Sequence, residues 1–166
     1  MDDEDDFTAY VAAQWPRLVR SAVLLGCSAA EAEDVVQSAL ERCLLHWRRV
    51  RAASDRDAYV HRVLINTFTS ARRRRWTGER PSADLPDAVT PDETSGVDDA
   101  DAMVRALERL GHDQRAAVVL RYYARLTEEQ MATALGVAPG TVKSRLARAL
   151  ATLAADPALG DLRGAP

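Results

Sequence analysis

Cysteine, glycine, proline and long apolar runs are all scarce in this chain of 166 residues. With only Cys27 and Cys43, the chain has no disulfide framework, and we expect free thiols in a reducing compartment. No apolar run approaches the roughly 18 residues that a membrane-spanning helix needs. The acidic start, MDDEDD, lacks the basic and apolar parts of a secretory signal. These absences predict a cytoplasmic protein with no membrane insertion.

Motifs that carry chemistry are also missing. The sequence has no phosphate-binding Gly-Lys loop, no GxSxG and no HExxH. Cys43 and His46 are three residues apart on a predicted helix, whereas Cys27 and His61 lie elsewhere, and zinc needs about four convergent ligands. We interpret the cysteines as core residues. The sequence therefore predicts no catalytic residue, no metal site and no cofactor, and it argues against an enzyme.

Charge is abundant but segregated. Residues 48–80 contain ten arginines and three acids, a net of +7, and residues 109–150 contain seven basic residues and three acids, a net of +4. Between them, residues 81–101 contain seven acids and no lysine or arginine. Basic blocks of this kind favour binding to a polyanion.

Apolar residues recur at steps of three and four, and we find no alternating run long enough for a strand. Ser28 and Glu31 form a capping-box pattern, and Pro16 should kink the first helix or mark a late start. The fold class is therefore all-α: two small helical domains, a helical bundle and a helix-turn-helix, joined by a flexible acidic linker.

The predicted helices cover 7–25, 29–47, 57–75, 102–110, 113–123, 127–135 and 141–154, with a loop at 48–56. The predicted domains are 1–76 and 102–155, with a linker at 77–101 and a short tail at 156–166. The core candidates are Phe7, Val11, Trp15, Leu18, Ala22 and Leu25, then Ala32, Val36, Ala39, Leu40, Cys43 and Trp47, then Tyr59, Val63, Leu64 and Phe68.

The segment TEEQMATALGVAPGTVKSRLARAL, residues 127–150, is typical of a helix-turn-helix. A capped helix ends at Gly136, which can adopt the left-handed conformation of a sharp turn, and a second helix starts near Thr141. At 100° per residue, the second helix has a predicted core side of Val142, Leu146, Ala149, Leu150 and Leu153. Its opposite face carries the candidate DNA contacts Thr141, Ser144, Arg145 and Arg148, with Lys143 on the flank. The alternative is a solvated helix with ordinary surface arginines.

The same residues carry a family resemblance. Residues 31–47 (EAEDVVQSALERCLLHW) and 57–75 (DAYVHRVLINTFTSARRRR) resemble two helices of the first conserved domain of extracytoplasmic-function (ECF) sigma factors, and residues 107–153 resemble the second domain. The resemblance is to a sigma-E-like, actinobacterial-type group and covers roughly residues 7–153. It implies a sigma region 2 bundle and a region 4 helix-turn-helix. It departs from the common pattern at Tyr59, Ser70 and the pair Gly111-His112.

The resemblance implies roles for three sets of residues. An outward face on residues 31–47 would dock on the clamp helices of the largest subunit of core RNA polymerase, the alternative being a solvated acidic face. Residues 57–75 would melt promoter DNA and recognise its minus-ten element, and the helix-turn-helix would recognise the minus-thirty-five element. For Arg72 to Arg75, the alternative is a helix C-terminus that attracts cations. The docking candidates are Asp34, Gln37, Ser38, Glu41 and Leu45. The melting candidates are Arg62, Asn66, Arg72, Arg73, Arg74 and Arg75.

The sequence therefore predicts an alternative sigma factor whose partners are core RNA polymerase, promoter DNA and an anti-sigma factor. A stand-alone helix-turn-helix regulator is the first alternative, although it normally needs a dimerisation surface, and the chain shows no extra segment for one. A protein-binding adaptor without DNA contacts is the second. Association with polymerase identifies a sigma factor, and binding to duplex DNA without polymerase separates the regulator from the adaptor.

Overall fold

A computed structural model describes residues 2–78 and 95–160 of the chain. The first module contains four helices: α1 (Asp3–Leu25), α2 (Ala29–Leu45), α3 (Trp47–Ala52) and α4 (Arg56–Trp76). The first turn of α1 holds four acids, where the positive end of the helix dipole favours them. At the start of α2, the predicted capping box is present: Ser28 Oγ accepts from the Glu31 N–H at 3.3 Å, and Glu31 Oε2 accepts from the Ser28 N–H at 2.9 Å.

One expectation for the first module was wrong. The predicted loop at 48–56 contains the short helix α3, which is held by Trp47: its indole packs edge-on against Phe7 at 5.0 Å and donates to Asp6 Oδ2 at 3.0 Å. For Pro16, the sequence predicted either a kink or a late start of the helix, and the late start is excluded because α1 runs through Pro16 from Asp3. Pro16 and Ala12, the residue whose carbonyl loses its helical partner, are both exposed, so water can satisfy that carbonyl.

The second module contains α5 (Ser95–Glu108), α6 (His112–Val118), α7 (Glu128–Leu135), α8 (Pro139–Ala154) and α9 (Pro157–Gly160), with a π-helical turn at Val119–Tyr123. Helix α5 begins inside the segment predicted as linker, and most of that linker lies outside the described residues. Helices α7 and α8 form the predicted helix-turn-helix. Gly136 ends α7 with a φ of 66°, so the turn uses the left-handed conformation expected of this glycine.

The predicted core is largely confirmed. The candidates on α1 and α4 are buried or packed against the core, and all six residues expected between 29 and 47 are buried. Leu150 is the exception, since it is 42% exposed whereas Leu146, one turn earlier, is 8% exposed. The described residues contain helices and no strand, which confirms the all-α fold. Among them, no helix is both long and apolar enough to cross a membrane.

The buried residues of the two modules belong to one continuous cluster. Helices α1 and α4 of the first module meet α6, α7 and the π-helical turn of the second. The two modules therefore pack on each other instead of standing apart as the sequence suggested.

Candidate polymerase and promoter surfaces

The outer face of α2 presents all five docking candidates to solvent. Asp34, Gln37, Ser38 and Glu41 are exposed, and Leu45 is 78% exposed. Gln37 Nε2 donates to Glu41 Oε1 at 3.2 Å, which links two successive turns of this face. Leu44, which the sequence analysis missed, is also exposed. An apolar end on an otherwise acidic and polar face suits a protein partner better than bulk water.

The melting candidates lie along α4. Asp55 caps the start of the helix by accepting the Ala58 N–H at 2.7 Å, so the backbone that carries Arg62 and Asn66 is fixed. Both of these side chains are exposed. Arg62 also approaches the second module, because its guanidinium lies 4.0 Å from the position of a Cβ at Gly136.

The four consecutive arginines close α4 and are all exposed. Arg75 forms an ion pair with Glu31 across the bundle. Trp76 follows them and is 92% exposed, a residue that the sequence analysis did not single out. Within the basic segment 48–80, Arg48 and Arg51 form ion pairs with Asp3 at 2.9 and 2.8 Å. Part of the positive charge of this segment is therefore paired within the fold.

The recognition-helix candidates occupy the first turns of α8. Thr141, Lys143, Ser144 and Arg148 are exposed, as predicted. The Arg145 side chain is only 22% exposed and forms an ion pair with Asp113 of α6 at 3.1 Å. No sequence pattern indicated this contact. Lys143 lies 3.6 Å from Glu128, and Ser144 Oγ donates to the Gly140 carbonyl at 3.0 Å. The predicted face is therefore assembled, with two of its cations held by carboxylates of the same module.

Three titratable groups are buried between helices. Burial raises the pKa of the Cys27 and Cys43 thiols to about 11, so both stay protonated near neutral pH. Burial also lowers the pKa of His61, whose Nδ1 lies 2.8 Å from the Asp57 carbonyl, and whose Nε2 has no protein partner. No group of His, Cys, Asp and Glu side chains in the described part of the chain is arranged to hold a metal ion.

Family models match both modules. The model for sigma-70 region 2 matches residues 11–77, and the model for sigma-70 region 4 matches residues 100–153. The RNA polymerase sigma-E factor of Streptomyces avermitilis is 40% identical over 148 residues, which is 89% of this chain and 83% of that protein. The ECF sigma factor SigL of Mycobacterium tuberculosis is 37% identical over 141 residues, covering 82% of this chain and 80% of the relative.

Solved structures of two other proteins have a similar fold over most of the chain. The sigma factor RpoE from Bartonella quintana, crystallised with the anti-sigma factor NepR, has a TM-score of 0.75 at 28% identity, covering 89% of this chain and 94% of that one. CnrH, solved with the cytosolic domain of CnrY, has a TM-score of 0.66 at 20% identity and shows the fold alone, over 92% of this chain and 87% of its own. The chain belongs to the ECF sigma factors of the sigma-70 family.

Proposed function

We propose that this chain is an alternative sigma factor that binds core RNA polymerase and directs it to specific promoters. The observation that carries the proposal is that three exposed surfaces of different chemistry lie on the two sigma modules of one chain: the acidic and apolar face of α2, the Arg62–Asn66 face of α4, and the first turns of α8. The factor needs no catalytic group of its own, because it positions the polymerase and the polymerase performs the chemistry.

Each surface has a proposed partner. The α2 face docks on the clamp helices of the largest polymerase subunit, and its five residues Asp34, Gln37, Ser38, Glu41 and Leu45 form the contact. Residues 1–76 form the region 2 domain and 102–155 the region 4 domain, and residues 77–101 join them. An anti-sigma factor is a further partner, as for the Bartonella quintana relative solved with the anti-sigma factor NepR. The site of action is the cytoplasm.

The DNA contacts divide between the modules. Arg62 and the arginines at 72–75 hold the phosphate backbone near the minus-ten element, and the Asn66 amide, which both donates and accepts, contacts an unpaired base. On α8, Arg145 and Arg148 reach base edges in the minus-thirty-five element, while Thr141, Lys143 and Ser144 contact phosphates or adjacent bases.

Run-off transcription with purified core polymerase tests the proposal. With the full chain added, we expect promoter-specific transcripts from genomic fragments and co-purification of the chain with core polymerase. A stand-alone regulator would instead bind duplex DNA without polymerase, and an adaptor would do neither. Absence of both polymerase binding and polymerase-dependent transcription would refute the sigma-factor function.

A further inference from the structure

The turn that leads into α7 contains a residue with a strained backbone. Arg125 has a φ of 58°, in the left-handed region that residues with a Cβ rarely adopt, and every other described residue with a positive φ is a glycine. Helices commonly end on a residue in this conformation, but that residue is usually glycine. An arginine at this position therefore destabilises the turn relative to a glycine.

The neighbouring residues hold Arg125 in this conformation. The Leu126 N–H donates to the Leu120 carbonyl at 3.0 Å, which folds the chain back over the end of the π-helical turn. The Leu126 carbonyl accepts a hydrogen bond from Arg121 Nη1 at 3.0 Å, and the side chains of Ala124 and Leu126, on either side of Arg125, are buried. Because both neighbours are fixed, the backbone cannot relax at Arg125.

The fold makes no use of the Arg125 charge. Its side chain is exposed and forms no ion pair with any residue in 2–78 or 95–160. Glu128, the nearest acid along the chain, lies instead 3.6 Å from Lys143 Nζ. No ion pair within the described fold therefore offsets the strain. Strained residues of this kind cluster at functional sites, so the outlier calls for a role outside the fold.

The strained turn lies beside the recognition helix. Thr127, two residues after Arg125, is the N-cap of α7, the first helix of the helix-turn-helix. The contact between Glu128 and Lys143 brings the start of α7 against the first turns of α8. The three residue steps from Arg125 to Glu128 span at most about 10 Å. In helix-turn-helix proteins the second helix enters the major groove and the first crosses the DNA backbone, so Arg125 is close to where the backbone would pass.

Arg125 also differs from two nearby cations in having no carboxylate to leave. Lys143 lies 3.6 Å from Glu128 and Arg145 lies 3.1 Å from Asp113, so each must exchange a protein partner for DNA. A cation without such a partner neutralises a phosphate directly and releases a counterion from the DNA. The chemistry of the turn therefore fits a phosphate of duplex DNA.

We infer that Arg125 is a DNA-backbone contact, whose guanidinium binds a phosphate beside the upstream promoter element and so positions α8 in the groove. The left-handed turn projects the side chain at the cost of some stability of the fold. A phosphate contact carries no sequence information, so Arg125 sets the affinity and Arg145 and Arg148 set the sequence preference. This inference rests on the proposed function, in which α8 recognises the minus-thirty-five element.

Three substitutions at one position separate the backbone from the charge. Arg125→Gly removes both the strain and the charge. Arg125→Asn removes the charge, and asparagine tolerates the left-handed conformation. Arg125→Lys keeps the charge and the strain. Arg105→Ala, which removes an exposed cation from α5, is the matched control for net charge. Each is made in the full chain, and DNA binding is measured with the holoenzyme at several salt concentrations.

Stability and DNA binding should change in opposite directions in Arg125→Gly. Its Tm should rise by about 2–4 °C, because glycine relieves the strain. The affinity of its holoenzyme for promoter DNA should fall on the order of three- to tenfold, equally on promoters with intact and scrambled upstream elements. The slope of log K against log salt should become shallower by about 0.9, the contribution of one phosphate. Arg125→Asn should lose the same affinity, whereas Arg125→Lys and Arg105→Ala should keep the wild-type slope.

Wild-type affinity and salt slope in both Arg125→Gly and Arg125→Asn would overturn the inference. An equal change of slope in Arg105→Ala would overturn it too, because the effect would then belong to net charge. A Tm that does not rise in Arg125→Gly would contradict the strain. If the wild-type chain supports no promoter binding by polymerase, the proposed function fails. Binding of the free chain and its variants to duplex DNA would then still test the phosphate contact.

Discussion

Removing the Arg145 guanidinium should weaken recognition of the upstream promoter element without affecting polymerase binding. A well-placed arginine contact to a base edge contributes about 1–3 kcal/mol of discrimination. In this structure, Arg145 first has to leave Asp113, its partner at 3.1 Å. The Asp113 side chain is 64% exposed, so this ion pair contributes about 0–1 kcal/mol. The proposed base contact is the larger of the two effects, so on binding DNA we expect Arg145 to exchange Asp113 for the base.

Two variants follow from these magnitudes. Arg145→Ala should reduce the affinity of the holoenzyme for the upstream element by about 5- to 150-fold. Asp113→Asn should increase that affinity by up to about fivefold, because it releases Arg145 at the cost of one weak ion pair. In the Arg145→Ala background, Asp113→Asn should have no effect if it acts through Arg145.

The assay is run-off transcription and mobility shift with holoenzyme at one fixed salt concentration, on promoters with intact and scrambled upstream elements. Arg105→Ala, which removes an exposed cation from α5, controls for general loss of positive charge. Unchanged promoter preference in Arg145→Ala would refute the base contact. Persistence of the Asp113→Asn effect without Arg145 would show that the carboxylate acts by its charge alone.

Three further outcomes are expected. Asp34→Arg combined with Gln37→Ala should abolish co-purification with core polymerase while the circular dichroism spectrum stays helical; wild-type binding by this folded variant would refute the docking face. Because burial holds the pKa of His61 below its ordinary value of about 6.5, the unfolded chain takes up the proton more readily. The free energy of unfolding should therefore be maintained above that pH and fall as the pH drops below it. Urea denaturation at several pH values measures this dependence, and His61→Gln should make it flatter. In the same assay, Leu146→Ala should lower the free energy of unfolding by about 2–5 kcal/mol and Leu150→Ala by less than about 1 kcal/mol, because only Leu146 is buried. Equal losses in the two variants would contradict the placement of α8.

The helix-turn-helix was predictable from sequence because its signals are local. A capping box at Thr127 and Gln130 is readable within four residues, and Gly136 is the residue type that the left-handed turn requires. The core stripes of α1, α2 and α4 were predictable for the same reason, since a helix of known period assigns each residue to a face.

Helix α3 shows where such reasoning stops. Its sequence, WRRVRA, has too few residues to show a period, and its stability comes from contacts of Trp47 with Phe7 and Asp6, about 40 residues earlier. An isolated helix of this length would be unstable in water. No window around α3 contains that information, and the segment therefore looked like a loop.

The packing of the two modules on each other was hidden from the sequence for a related reason. Arg17 and Arg115 donate to backbone carbonyls, which every residue has, so the contact leaves no complementary residue type to recognise. The acidic composition of residues 81–101 favoured a picture of two separate modules, because a charged linker is usually an extended spacer. The exposure of Leu150 was missed too, since an angle of 80° from Val142 lies at the margin of the buried side.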